Sequence, residues 1–197
     1  MKLIRESIWN ACMVLSILVT CSVSKSLADQ SKPGTTLEFF HLETSKGTID
    51  CALSGHQTVI THLQKQVNAE RYNDSVVCRA VTNYFVQFGC DIATDTQTDG
   101  ALRVRLPSTG GHEQPGTLSF AQYPGGDVGS QFTITTVKSP WLDGVQPVVG
   151  QCRPLDLIEE LSKQPTLAGA VPRRPTVVIR AWIDRVESSP ETNGLAK

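Results

Sequence analysis

The chain has 197 residues, with 18 Lys and Arg against 19 Asp and Glu and a formal charge of −1. That length suits one full-sized domain, and the balanced charge leaves no basic surplus for a phosphate backbone, which argues against nucleic acid as a partner. The 40% hydrophobic content, with 15 Gly and 11 Pro, belongs to a folded, turn-rich protein rather than a disordered or collagenous one.

Residues 1–28 start with charge at Lys2 and Arg5, pass through the apolar stretch Cys12 to Cys21, and end in Ser26-Leu27-Ala28. This is the order of a secretory signal peptide cleaved after Ala28, and the apolar stretch is too short to span a bilayer. A second reading takes Leu18-Val-Thr-Cys21 as a lipoprotein signal, which places a lipid anchor on Cys21. Both readings export the protein, to the periplasm or as a secreted product, with no membrane span. Residues 29–36 form a linker to a domain expected over 37–186, and 187–197 form a polar tail.

Export permits disulfides. Cleavage leaves Cys51, Cys78, Cys90 and Cys152, which can pair in three ways. No Cys-x-x-Cys occurs, and His41, His56, His62 and His112 share no metal-ligand spacing, so neither a metal nor a cofactor is expected. Gly-x-Ser-x-Gly and phosphate-cradling glycine loops are absent from the sequence as well.

From Thr36 to Thr44 the side chains alternate in a strand pattern with apolar residues on both faces, and Lys46-Gly47 turns the chain into a partner strand from Thr48 to Leu53. Val59, Ile60, Leu63 and Val67 then fall on one side of a helix from about Thr58 to Glu70. Val76 to Val81 and Tyr84 to Phe88 read as a hairpin, rich in β-branched and aromatic residues and closed by Gly89. Asp91 to Gly116 is a long polar loop in which Leu102, Val104 and Leu106 mark one strand. Strands follow at Thr117 to Gln122 and Gln131 to Val137, then an extended run from Val145 to Cys152. Pro154 opens a second helix reaching about Gln164, and Thr176 to Asp184 is the last strand. Many short strands with only two helices predict a mainly β domain, a closed antiparallel barrel capped by those helices.

Four segments in order resemble the cyclophilin-type peptidyl-prolyl isomerases. Tyr72-Asn-Asp-Ser-Val-Val-Cys-Arg-Ala-Val-Thr-Asn-Tyr-Phe-Val-Gln-Phe-Gly89 is similar to the family's Tyr-Asn, Phe-His-Arg, Phe-Met-x-Gln-Gly-Gly block. His112-Glu-Gln-Pro-Gly-Thr-Leu-Ser-Phe-Ala-Gln122 is similar to its Pro-Gly and Leu-Ser-Met-Ala-Asn segment. Gly129-Ser-Gln-Phe-Thr-Ile-Thr135, and Trp141-Leu-Asp-Gly144 followed by Val149-Gly150, resemble Gly-Ser-Gln-Phe-Phe-Ile and Trp-Leu-Asp-Gly-x-His with its Phe-Gly. The opening hairpin and the closing Arg174-Pro-Thr-Val-Val-Ile179 agree too, so the resemblance runs from about Leu37 to Asp184.

The resemblance implies a cyclophilin-like barrel and places the family's catalytic arginine on Arg79, with its polar partner on Gln87. The substrate-proline pocket falls on Tyr84, Phe85 and Thr133, so one aromatic wall of the family is a small hydroxyl here. Phe120, Ala121, Gln122, Gln131, Trp141 and Leu142 complete the implied substrate site; Gln122 stands for the family's Asn, Gln146 for its groove His, and Cys78 for the His before the arginine. Cys78 and Cys90 bracket the hairpin almost symmetrically, and strand alternation puts both on the face opposite Arg79 and Gln87. A disulfide between them would brace the catalytic hairpin from behind. The implied function is prolyl isomerisation assisting protein folding outside the cytoplasm, by a monomer acting on proline-containing polypeptides. Thr133 and Gln146 motivate a rival, a weakly catalytic module or chaperone that grips such polypeptides.

Overall fold

The structure, a computed structural model, describes residues 36–90 and 103–187. The leader and lipid-anchor readings of residues 1–28, the linker to residue 35, the loop over 91–102 and the tail from 188 lie outside the described residues.

The chain opens with the hairpin β1 (Thr36–Thr44) and β2 (Gly47–Leu53), then α1 (Gln57–Asn68). β1 places Phe40 and Leu42 inside and His41 and Glu43 outside, and β2 buries Ile49 and Cys51 between exposed neighbours. His56 caps α1, its ring accepting the Thr58 N–H, so the helix starts one residue before the apolar stripe suggests. Val59, Ile60 and Leu63 bury the inner face. A short hairpin follows, β3 (Arg79–Val81) and β4 (Phe85–Phe88), turned at Asn83 with φ of 58°. β5 (Thr117–Gln122), β6 (Val128–Thr135), β7 (Val148–Arg153), α2 (Leu155–Ser162) and β8 (Val178–Glu187) complete it.

The eight strands of the described residues form one antiparallel sheet in the order β3-β4-β6-β5-β7-β2-β1-β8. The sheet curls, and its two edges meet through the residues before β3 and β8 rather than through a full ladder. Val76 bridges Val177, while Val77 N–H donates to Thr176 O at 2.9 Å and Val178 N–H to Ser75 O at 2.8 Å. The expected strand from Val76 therefore begins only at Arg79, because Val76 serves as the tie between edges. The strand expected around Val104 reduces to a single bridge to Val128.

An aromatic core fills the curl. Phe132 meets Phe40 and Tyr72 edge-on at 5.8 and 5.2 Å and stacks on Phe88 at 5.3 Å. The buried Tyr72 hydroxyl donates to Ser130 O at 3.0 Å, which removes the cost of enclosing it. Gly150 lies against β2 so closely that a Cβ there would stand 2.1 Å from Ala52 O, so a side chain would separate β7 from β2. Two disulfides join Cys51 to Cys152 and Cys78 to Cys90. The first links directly paired positions of β2 and β7, a pairing for which the sequence offered no selection among its three alternatives. The second spans the β3–β4 hairpin.

Candidate functional site

Register places the candidate residues in one row. Arg79 on β3 pairs with Gln87 on β4, Gln87 with Thr133 on β6, and Thr133 with Ser119 on β5. Strand alternation then puts Phe85 beside Gln87 and Gln131 beside Thr133 on the same outer face. The neighbouring row, Phe88, Phe132 and Phe120, points the other way into the core.

The outer row floors a groove of about 300 Å³. Arg79, Tyr84, Phe85, Gln87, Gln131 and Thr133 line one side, and Leu142 and Gln146 close it from the loop before β7. Ala121 and Gln122, with Tyr123 and Pro124 from the next turn, form its remaining wall. Leu142 ends a single 3-10 turn, Pro140–Leu142, and Gln146 N–H donates to Leu142 O at 2.9 Å, which fixes the two relative to each other.

Ten of the sequence-derived residues thus share the groove, and two take other places. Phe120 is fully buried and meets the His62 ring at 5.0 Å. It belongs to the core because it is paired with Phe132, whose face of the sheet is turned from the groove. Trp141 is not a wall but a rim residue, 60% exposed, whose indole N–H donates to the Tyr84 hydroxyl at 2.7 Å. Tyr123 and Pro124 were missed; their signal is only that they follow Ala121-Gln122 directly in the chain.

The lining is rich in donors. The Arg79 guanidinium lies 5.4 Å from the centre of the Phe85 ring and makes no ion pair or hydrogen bond among the described residues. Gln87 is buried and donates from Nε2 to Gln131 Oε1 at 2.7 Å, which leaves the Gln131 amide hydrogens for a ligand. Opposite, Gln146 Oε1 accepts from Ser119 Oγ at 2.8 Å and Thr133 Oγ1 at 2.9 Å. Behind Ser119, His112 joins Asp143, whose carboxyl is held below its ordinary range chiefly by the His112 side-chain hydrogen bond and next by the His112 backbone N–H. Among the described residues no carboxylate lines the groove. Among the described residues no cluster of His, Cys, Asp or Glu has the make-up of a metal site, and no helix is long and apolar enough to cross a membrane.

A curled antiparallel sheet with a free arginine, a glutamine pair and aromatic side chains along one outer row defines a groove suited to an extended peptide. The chain belongs to the cyclophilin type peptidyl-prolyl cis-trans isomerase family, whose sequence profile matches residues 39–183. It is similar to peptidyl-prolyl cis-trans isomerase D of Saccharomyces cerevisiae, 27% identical over 143 residues that cover 66% of this chain and 61% of the yeast protein. It also resembles the human peptidylprolyl isomerase domain and WD repeat-containing protein 1, 30% identical over 96 residues, which are 46% of this chain and 15% of that protein. The chain therefore spans less than two thirds of the length of these curated relatives. Among solved structures, a Cryptosporidium parvum cyclophilin type peptidyl-prolyl cis-trans isomerase, crystallised in the presence of the dipeptide Ala-Pro, shares the fold. Its TM-score is 0.61 at 16% identity, covering 77% of this chain and 99% of that one.

Proposed function

We propose that the protein is a peptidyl-prolyl cis-trans isomerase that assists protein folding outside the cytoplasm, with Arg79 as the catalytic residue. The observation that carries this is the unpaired Arg79 guanidinium beside Phe85, in register with Gln87 on the groove floor. A prolyl bond rotates against a barrier of about 18–20 kcal/mol because its amide is conjugated. Twisting the bond localises the lone pair on the proline nitrogen. A donor aimed at that nitrogen binds the twisted amide more tightly than the planar one, so the barrier falls without a covalent step. Arg79 supplies that donor, Gln131 and Gln87 hold the substrate backbone, and Phe85, Tyr84 and Leu142 surround the ring.

Crystallisation of the Cryptosporidium protein in the presence of the dipeptide Ala-Pro supports proline-containing peptides as ligands of this groove. Two disulfides, and the apolar stretch Cys12 to Cys21 read as part of a secretory signal, support action in an oxidising compartment. A second reading, a binding module with slow turnover, is favoured by the hydroxyl and amide of Thr133 and Gln146 at the ring-holding wall.

The test is the cis-to-trans relaxation of short Xaa-Pro peptides with the wild-type chain and Arg79→Ala. Wild type accelerates the relaxation. Arg79→Ala loses about 10²- to 10³-fold in kcat/KM, with an unchanged melting temperature because Arg79 is exposed. A folded wild type that accelerates none of the peptides, yet binds them, overturns catalysis and leaves the binding module.

A further inference from the structure

A chain of polar side chains runs from the surface behind the groove to its lining. Asp143 Oδ1 accepts the His112 backbone N–H at 2.7 Å and lies 3.0 Å from His112 Nδ1. His112 Nε2 is 2.9 Å from Ser119 Oγ, which is 2.8 Å from Gln146 Oε1. His112 and Ser119 are fully buried, whereas Gln146 is half-buried and faces the groove.

Proton counting shows what this chain transmits. The Asp143 carboxylate only accepts, so His112 Nδ1 carries a proton. Ser119 has one hydroxyl proton. When that proton goes to Gln146 Oε1, Ser119 must accept from His112, so Nε2 is protonated as well and the ring is an imidazolium. Gln146 Oε1 is then tied by the hydroxyls of Ser119 and Thr133, and its amide hydrogens are left for the groove. With a proton on Nδ1 alone, Nε2 accepts a hydrogen bond from the Ser119 hydroxyl instead. Ser119 then offers Gln146 only lone pairs, and the amide satisfies them by turning over. Its NH₂ points inward and Oε1 faces the groove, while the Thr133 hydroxyl turns to Ser119 O, 3.5 Å away.

We propose that Gln146 is a specificity-determining residue, and that His112, Ser119 and Asp143 are positioning residues that decide whether its amide offers a peptide ligand donors or an acceptor. The proposal rests on the peptide-binding reading of the groove. Peptides carrying an anionic or carbonyl acceptor next to the proline are favoured when His112 is doubly protonated, and peptides carrying an N–H donor there when it is neutral. Among the described residues, the charged groups around the ring are Asp143, in contact with it; Lys138, whose charge acts on Asp143; and Glu113, which pairs with Lys138. β5 and β6 supply only the neutral Ser119 and Thr133 to the chain.

The full chain, ¹⁵N-labelled at glutamine side chains and ¹³C-labelled at histidine rings, tests this by NMR, with the Gln146 signal assigned through Gln146→Glu. In wild type the Gln146 amide resonances shift along the same pH transition as the His112 ring. In Ser119→Ala the ring still titrates and Gln146 stays still. Alongside, affinities are measured for Ala-Pro with a free carboxylate and for Ala-Pro-amide. Their ratio changes about tenfold across the transition in wild type and is constant in Gln146→Leu, which cuts the chain at its surface end should Ser119→Ala not fold. A stationary Gln146 while His112 titrates, a His112 that never changes protonation in the folded protein, or a ratio that still changes in Gln146→Leu overturns the proposal. The resonances need no turnover, so loss of the isomerase reading leaves this result standing, and a stationary Gln146 in an active enzyme removes only this proposal.

Discussion

Trp141 reaches back over the groove rim to Tyr84, its indole N–H donating to the phenolic oxygen at 2.7 Å while its ring stays 60% exposed. The contact holds a residue of the ring-binding wall from outside. Trp141→Phe keeps the ring and removes the donor, at about 0.5–1.5 kcal/mol. The expected outcome is a rise of about two- to tenfold in KM with kcat unchanged, since Arg79 is untouched. Tyr84→Phe gives the same rise, and the double variant gives no more, a cycle that steady-state kinetics can measure.

Thr133→Phe restores an aromatic wall to the pocket and removes a hydroxyl that bonds Gln146 at 2.9 Å. Added ring burial is worth about 1–3 kcal/mol to the bound proline, and the unsatisfied Gln146 and Ser119 groups cost the fold about 1–3 kcal/mol. Peptide affinity should rise while the urea midpoint falls. A variant that gains neither affinity nor turnover would show that Thr133 does not limit ring binding.

The two disulfides close very different loops, with sequence separations of 101 for Cys51–Cys152 and 12 for Cys78–Cys90. On chain entropy alone, removing the long link with Cys51→Ala/Cys152→Ala costs more than Cys78→Ala/Cys90→Ala by about 2 kcal/mol. Urea unfolding of the two double variants provides the comparison. Loss of the short link, which lies behind the Arg79 hairpin, should instead show in kcat/KM.

Asp143 is expected to add an acid-sensitive contribution to stability. Its carboxyl is held below the ordinary range, first by the His112 side-chain hydrogen bond and then by the His112 backbone N–H. A lowered folded-state value means that the stabilisation is present above the ordinary carboxylate range and is lost as pH falls through the folded value. Asp143→Asn should therefore melt lower than wild type at neutral pH, and the two melting curves should converge in strong acid. Differential scanning calorimetry across that range would measure the convergence.

Elements with clean periodicity were legible in the sequence. β1 runs from Thr36 to Thr44 as its alternation indicates, and α1 follows its apolar stripe to within two residues at either end. β6 begins at Val128 rather than Gln131, because Gly129 and Ser130 carry no strand pattern and are set by tertiary bonds instead. His62 Nε2 lies 2.8 Å from Gly129 O, and Ser130 Oγ donates to Gly89 O at 3.0 Å. β8 continues to Glu187 through polar residues, supported by its pairing with β1, which no local pattern announces.

Most of the groove was legible by resemblance, since its lining except Tyr123, Pro124 and Gln146 sits in the quoted segments, and Gln146 was reached as the residue standing for the family's groove His. Phe120 was misplaced because a segment match does not say which face a residue occupies, and the Phe132 register does. The route from Asp143 through His112 and Ser119 to Gln146 joins residues from three separate parts of the chain, so no spacing could signal it.

Val76 touches Cys90 on one side and Val177 on the other, and so ties the curl together. Every described residue lining the groove lies between Arg79 and Gln146, but that tie needs the approach to β8. In the order of synthesis the parts of the groove are therefore all made before the last strand that closes the sheet beneath them. A chain cut after Gln146 carries each recognition residue and lacks the frame that aligns them, so ligand recognition matures only once β8 has joined the sheet.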